Sequence, residues 1–168
     1  ALLVYFAGHG ITDDEGDYIF VPRDVESRDQ LDDNGLDQDT LIAALSEVPA
    51  RNLFLFLDTC YAGTFDLEVG GKIAAESGRF VLTASTSVQE ALDSYDGVNG
   101  VFARAVLDGI EGGAAATGNV VDALFLGAYV RDRVPQLAAR RNFDQAAVFK
   151  TAGGEIRPFP LAALGPAP

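Results

Sequence analysis

Uninterrupted apolar runs alternate along the chain with segments of helical periodicity. The runs have the composition of strands buried on both faces of a parallel sheet, and they cover residues 1–8 (ALLVYFAG), 52–59 (NLFLFLDT), 78–85 (GRFVLTAS) and, less clearly, 146–152 (AAVFKTA). Residues 17–22 (DYIFVP) end at Pro22, which favours a hairpin arm or an edge strand over a central strand. The long runs therefore supply the strands of a mainly parallel sheet.

Three segments between the apolar runs have the periodicity of amphipathic helices. They cover residues 36–48, 99–113 and 118–141. The first has Asp37 or Asp39 available as N-cap, and the last is expected to bend or break near Pro135. Strands that alternate with helices predict the α/β class, a sandwich around the mainly parallel sheet.

Length and composition are those of one soluble domain. The chain has 168 residues, of which 48% are apolar and 22% charged, enough for a sizeable core. We place the domain at residues 1–164 and interpret the closing GPAP, 165–168, as a tail or linker. The apolar runs fall short of the ~18 residues of a membrane-spanning helix. With no signal-peptide pattern in view, we expect a cytoplasmic protein with no membrane partner.

The charge of the chain restricts its partners. Twelve Lys and Arg against 25 Asp and Glu give a formal charge of −13, which repels phosphate backbones and anionic lipid. Nucleic acid is therefore excluded as a direct partner. A basic peptide suits such a field, although solubility alone accounts for most of the acidic surplus.

The only histidine and the only cysteine occupy equivalent places in the pattern. His9 in AGHG and Cys60 in DTCYAG each follow a predicted buried strand and precede a glycine or a glycine turn. Ligands and catalytic groups gather at this edge of an open α/β sheet. An imidazole can take the proton of a thiol and return it to a leaving amine, while the backbone N–H groups of Gly10 and Cys60 can hold an oxyanion. A lone cysteine or histidine is usually structural, but the paired placement favours chemistry.

Other signals are weaker. Residues 12–17 (TDDEGD) loosely resemble the start of a calcium loop, but the glycine is misplaced and no glutamate follows at the required spacing. Residues 70–72 (GGK) lack the rest of a phosphate loop. We predict no metal and no cofactor, and calcium activation stays open without a clear ligand set.

At the dyad the residues resemble a known family. AGHG followed by a strand ending in DTCYAG is similar to the caspase-like cysteine peptidases, and most closely to the metacaspase-type members. Cys60 lies 51 residues after His9, close to the caspase spacing of about 50. The likeness continues through GDYIFVPRDV, FVLTASTSVQEALD, GVFARAVLDGIEG and RPFPLA, and so covers nearly the whole chain.

The resemblance implies a fold, a reaction and roles. The fold is a three-layer sandwich whose mostly parallel sheet is flanked by helices; the family has strands before the histidine strand that are missing from this chain. The reaction is peptide-bond hydrolysis through a thioester, with His9 as general base and acid and Cys60 as nucleophile. Gly10 and Cys60 form the oxyanion hole.

The resemblance also implies a specificity pocket. In metacaspase-type members the acid two residues before the cysteine binds Arg or Lys at P1, which assigns Asp58 to S1, with Ala7 and Ser85 at the neighbouring strand ends. Caspases that cut after Asp carry arginines there instead. Val88 departs from the family, since an acid is common at that position.

Self-processing is a further expectation, because Lys72 and Arg79 are basic residues in or beside a predicted exposed loop at 65–77. The expected partners are a protein or peptide substrate and either other domains or the missing N-terminal segment. The alternative function is an inert caspase-like module that binds or regulates within a larger protein.

Overall fold

The computed structural model describes residues 1–65, 78–115, 119–152 and 158–165, and a four-stranded sheet lies at its centre. Its strands, in spatial order, are β1 (Leu2–Ala7), β5 (Asn52–Asp58), β6 (Gly78–Thr83) and β8 (Val148–Ala152). The first three run parallel and β8 runs antiparallel to β6. The α/β class and the mostly parallel sheet are confirmed.

The sheet separates two hydrophobic cores because side chains alternate along β5. Phe54 and Phe56 point to one face, against the helices α3 (Val101–Asp108) and α4 (Ala123–Ala139). Leu55 and Leu57 point to the other face. All four side chains are buried, so a polar residue in the middle of this strand would disrupt one core or the other.

The second face is covered by α2 (Gln38–Ser46) and by a small antiparallel sheet. That sheet has the order β2 (His9–Thr12), β3 (Tyr18–Val21) and β4 (Leu36–Asp37). The hairpin arm predicted at 17–22 is confirmed, but the alternative of an edge strand is wrong, because β3 pairs on both sides. A short helix, α1 (Leu31–Asn34), precedes β4.

The helix starts follow from capping. The Asp37 carboxylate accepts the Thr40 N–H at 2.7 Å, so Asp37 is the N-cap of α2. Asp122 caps α4 through the Leu124 N–H at 2.8 Å. The helix predicted over 118–141 therefore begins later than expected, at Ala123, because β7 (Val120–Asp122) first pairs with β9 (Pro160–Ala163).

Pro135 lies inside α4, which continues to Ala139, so of the predicted bend or break at this residue the break is wrong. Proline removes one backbone donor, but Val134, Leu137 and Ala138 beside it are buried and hold the helix against the core. The helix predicted over 99–113 is α3, followed by a wider π-helical turn at Gly109–Gly113.

Two expectations about loops need correction. Phe65 is fully buried against Tyr18, although it opens the segment predicted to be exposed. Arg79 lies in β6, is only 5% exposed and donates to the Ala50 carbonyl at 2.9 Å. The rest of that segment, 66–77, and the last residues, 166–168, lie outside the described residues.

Candidate active site

The histidine and the cysteine arrive at the same sheet edge because β1 and β5 are parallel neighbours. Ala7 is the register partner of Asp58, so the segments that follow β1 and β5 leave the sheet side by side. Gly8 then turns the chain at a φ of 155° and its N–H donates to the Asp58 carbonyl at 3.3 Å. His9 follows at once as the first residue of β2.

Gly10 allows the histidine segment to lie against the cysteine loop. A Cβ at this position would come within 2.4 Å of the Cys60 carbonyl oxygen and 2.8 Å of the Thr59 hydroxyl oxygen. Both distances are shorter than any carbon contact allows. The position therefore requires glycine, because the backbone itself is the contact surface.

A buried hydrogen bond joins the same two segments. The hydroxyl oxygens of Tyr18 and Thr59 are 2.8 Å apart, and both residues are at most 1% exposed. Burial raises the pKa of Tyr18 to about 12, although the bond to Thr59 works in the opposite direction. The phenol is neutral at physiological pH. Its hydrogen bond to Thr59, the residue before Cys60, connects the small sheet to the cysteine loop.

The turn after Cys60 is held from several sides. Tyr61 adopts a left-handed conformation with φ 54°, and a short helical turn, Ala62–Thr64, follows. The Ser85 hydroxyl donates to the Thr59 carbonyl at 3.0 Å and accepts the Ala62 N–H at 3.3 Å. The Lys150 ammonium donates to the carbonyls that end this turn, those of Gly63 and Phe65, each at 2.8 Å.

The segment after β6 lies directly on the cysteine. The Ala91 N–H donates to Cys60 Sγ at 3.3 Å, and the Tyr61 N–H donates to the Gln89 carbonyl at 3.0 Å. Gly63 makes room for this segment, since a Cβ there would come within 2.5 Å of the Thr86 backbone. Cys60 is thus partly buried under residues that precede α3.

His9 and Cys60 line one cleft of about 420 Å³. Asp58 and Ala7 line it too, and the remaining wall consists of Tyr5, Gly8, Ala91, Asp93, Val98, Asn99, Gly100 and Ala103. His9 is exposed at the mouth. Within the described residues, no hydrogen bond joins the imidazole to the thiol in this state.

Ser85 does not reach the cleft. Its side chain is fully buried, and both of its hydrogen bonds go to the backbone around Cys60. The expectation that it contacts a substrate is therefore wrong for this structure. The reason is that the segment after β6 directs its hydroxyl inward, beneath the cysteine loop.

The floor of the cleft is acidic. The Tyr5 hydroxyl donates to Asp58 Oδ2 at 2.7 Å. Burial raises the pKa of Asp58, the Tyr5 hydrogen bond lowers it, and the nearby charge of Asp93 raises it again, with a net upward shift. Burial also raises the pKa of Tyr5, and the adjacent Asp58 charge adds to that rise. Two carboxylates and a hydroxyl donor therefore surround the space beside the thiol.

Sequence reasoning missed Tyr5 and Asp93. Tyr5 was within reach, because it lies two residues before Ala7 and so shares its face of β1. Asp93 gave no such signal, since its place depends on the course of the irregular segment after β6. It brings a second negative charge into the cleft, whereas Val88, where the family often has an acid, is 81% exposed.

The described residues contain no group of three or more His, Cys, Asp or Glu side chains placed to hold a metal ion. No helix in the described ranges has the length and apolarity needed to cross a membrane. Lys72, one of the two expected self-cleavage positions, lies outside the described residues.

An α/β sandwich that brings a thiol and an imidazole to one cleft at the carboxyl edge of its sheet has the architecture of a cysteine peptidase. A family model described as "Caspase domain" matches residues 1–152, so the chain belongs to the caspase-domain family of peptidases. A search of curated proteins finds no match. The family resemblance and the caspase-like fold are confirmed, and the metacaspase subtype stays a prediction.

Proposed function

We propose that this protein is a cysteine endopeptidase in which Cys60 is the nucleophile and His9 the general base and acid. The observation that supports this best is their common cleft: the chain's single thiol and single imidazole line the same cavity at the ends of adjacent parallel strands. The family match is consistent with the same activity.

The steps follow from these groups. His9 takes the thiol proton and Cys60 Sγ attacks the scissile carbonyl carbon, with the oxyanion held by the N–H groups of Gly10 and Cys60. The C–N bond breaks as the imidazolium protonates the leaving amine, which leaves a thioester on Cys60. Water, deprotonated by His9, then attacks the thioester, and the thiolate departs and recovers its proton.

The acidic floor supports a basic P1 residue. Asp58 and Asp93 provide negative charge where a P1 side chain would lie, beside the thiol. A guanidinium or ammonium that enters this partly buried space gains a charge-assisted hydrogen bond, whereas an aspartate there would meet two like charges. We therefore propose cleavage after Arg or Lys, as the metacaspase resemblance implies.

The decisive experiment uses a peptidyl-Arg probe that reacts covalently with thiols, followed by fluorogenic peptides that vary P1 over Arg, Lys, Asp and Leu. We expect labelling of wild type at Cys60, none in Cys60→Ala and strongly reduced labelling in His9→Ala. If wild type is not labelled and no peptide is cleaved, the inert binding module is the better description.

The specificity part is tested by Asp58→Asn, with Asp32→Asn as a control that makes the same charge change at an exposed residue of a separate cleft. We expect Asp58→Asn to lose most of the preference for Arg over Leu and Asp32→Asn to keep it. Equal turnover of Arg and Asp peptides by wild type would contradict the assignment of Asp58.

Self-processing is proposed at Lys72 alone. The burial of Arg79 in a paired strand removes it from consideration, because a peptidase needs an accessible, extendable bond. Intact-mass analysis should show a cut after Lys72 in wild type that is absent from Cys60→Ala. An uncut wild type with full peptidase activity would rule this out while leaving the main proposal standing.

A further inference from the structure

We infer that Gln145 is a positioning residue for the nucleophile, one that holds the Ala91 N–H on Cys60 Sγ. The inference rests on the proposed function in taking Cys60 as the reactive group. It goes beyond that function because Gln145 lies in the connection between α4 and β8, is fully buried and does not line the cleft.

The side chain of Gln145 joins two backbone segments. Its Oε1 accepts the Leu92 N–H at 2.9 Å, and its Nε2 donates to the Ala84 carbonyl at 2.8 Å. Ala84 directly follows β6, and Leu92 lies eight residues further on. One amide group therefore fixes both ends of residues 84–92, which we call the cysteine strap.

The strap contacts the Cys60 thiol one residue before the point at which Gln145 binds the strap. The donor to Cys60 Sγ is the N–H of Ala91, the residue that immediately precedes Leu92. A shift of the Leu92 peptide therefore moves the Ala91 N–H as well. Asp93, on the other side of Leu92, carries the second carboxylate of the cleft, so the same anchor sets one wall of the pocket.

Gln89 attaches the strap a second time to the connection between α4 and β8. Its Oε1 accepts the Ala146 N–H at 3.2 Å, and its Nε2 donates to Asp144 Oδ2 at 3.1 Å. Its carbonyl in turn accepts the Tyr61 N–H. The contacts of the strap thus run from residues 144–146 on one side to the cysteine loop on the other.

The chemistry gives this arrangement a use. A backbone N–H directed at sulfur stabilises the thiolate more than the neutral thiol, because hydrogen bonds to an ionised acceptor are the stronger ones. The thiolate is the reacting species. Burying a glutamine is costly unless both ends of its amide are paired. Here both ends are paired with the strap, so the buried amide of Gln145 serves to hold this one segment.

The test measures the second-order rate of alkylation by iodoacetamide at neutral pH, which reports one site because the chain has a single cysteine. Gln145→Met keeps the length and burial of the side chain but removes both hydrogen bonds. We expect the rate to fall about fivefold, less than for complete loss of a hydrogen bond to a charged group, because the Ala91 N–H is displaced rather than removed. Ultraviolet absorbance of the thiolate at neutral pH should fall in parallel.

The matched control is Gln38→Met, which removes a buried glutamine on the opposite face of the sheet, where its Nε2 donates to Asp17. It should alkylate at the wild-type rate. A general loosening of the fold would expose Cys60 and speed its alkylation, so a slower reaction distinguishes positioning from lost stability.

A second variant covers the case in which Gln145→Met does not fold. Gln89→Ala acts on a half-buried residue of the same strap and should slow alkylation about twofold. A folded Gln145→Met with an unchanged or faster rate overturns the inference, as does an unchanged Gln89→Ala if Gln145→Met cannot be obtained. Because alkylation needs no substrate, these results stand whether or not peptide cleavage is found.

Discussion

The two sides of the cleft are built differently. Cys60 follows a strand whose core residues are buried, and its loop is fastened by Ser85, Lys150 and the Ala91 N–H. His9 opens a short strand of the small sheet and is exposed. Cys60 is therefore fixed by the main core, while the position of His9 depends on how the small sheet docks. The geometry of the dyad is set at that joint.

The largest effects should come from substitution of Cys60 and His9. Peptidase activity should be lost in the same way on both sides of the cleft. Cys60→Ala should abolish peptidase activity, and His9→Ala should lower kcat/KM about 10²–10⁴-fold through loss of the general base. Neither side chain belongs to a core, so the free energy of unfolding should change by less than about 0.5 kcal/mol. Kinetics on fluorogenic peptides and urea titrations measure the two quantities, and substantial residual activity in Cys60→Ala would refute the mechanism.

The contact between the small sheet and the cysteine loop is tested by Gly10→Ala. The new methyl group would overlap the Cys60 carbonyl and the Thr59 hydroxyl, so the small sheet must shift away from the cysteine loop. We expect the free energy of unfolding to fall by about 1–3 kcal/mol and kcat/KM to fall about 10²-fold, since a misplacement of about 1 Å costs that much.

Gly165→Ala is the control for this substitution, because a methyl group there would have no atom of the described residues within 4 Å apart from those of its own chain neighbours. It should match wild type in both measurements. Wild-type activity in Gly10→Ala would show that the docking of the small sheet does not set the dyad geometry.

A smaller effect is expected at the buried hydroxyl pair. Tyr18→Phe or Thr59→Val leaves one buried hydroxyl without its partner, which should lower the free energy of unfolding by about 1–2 kcal/mol each. The double variant should lose less than the sum of the two, because the second change removes a group already unpaired. Denaturant titration of the four proteins measures this, and strict additivity would mean that the bond does not couple the two sheets.

The smallest effect concerns the Asp58 carboxylate on the cysteine side of the cleft, whose ionised form is disfavoured by burial. Burial raises the folded-state pKa of Asp58 above its unfolded value. Its contribution to stability is therefore full below the unfolded-state pKa and is lost as pH rises through the folded-state pKa. Asp58→Asn removes this loss, so the variant should gain stability relative to wild type as pH rises through that window. A pH series of urea titrations checks the sign, and a gain that grows toward acid would contradict it.

The strands and the common location of His9 and Cys60 at one sheet edge were predictable from the sequence because their causes are local. Apolar runs of strand length need burial on both faces, and a cysteine or histidine that ends such a run must lie at the sheet edge. The capping of α2 by Asp37 is equally local, since it depends on residues within a single helical turn.

The remaining features depend on distant partners. The strand Val120–Asp122 exists because it pairs with Pro160–Ala163, far along the chain, and nothing within its three residues separates it from a helix start. The inward hydroxyl of Ser85 and the place of Asp93 depend likewise on how an irregular segment crosses the cysteine loop. Periodicity carries no information about such a path.

Under the proposed specificity, the hydrogen bond between Tyr5 and Asp58 makes the binding of a cation an exchange of donors. The Asp58 carboxylate already has a donor at 2.7 Å, so an arriving guanidinium or ammonium must share or displace the phenol. The net gain is the difference between two donors, and it is larger for a charged donor than for a neutral one. A neutral amide side chain would gain almost nothing from this exchange, so under the proposed specificity Tyr5 would favour side chains that carry a full positive charge.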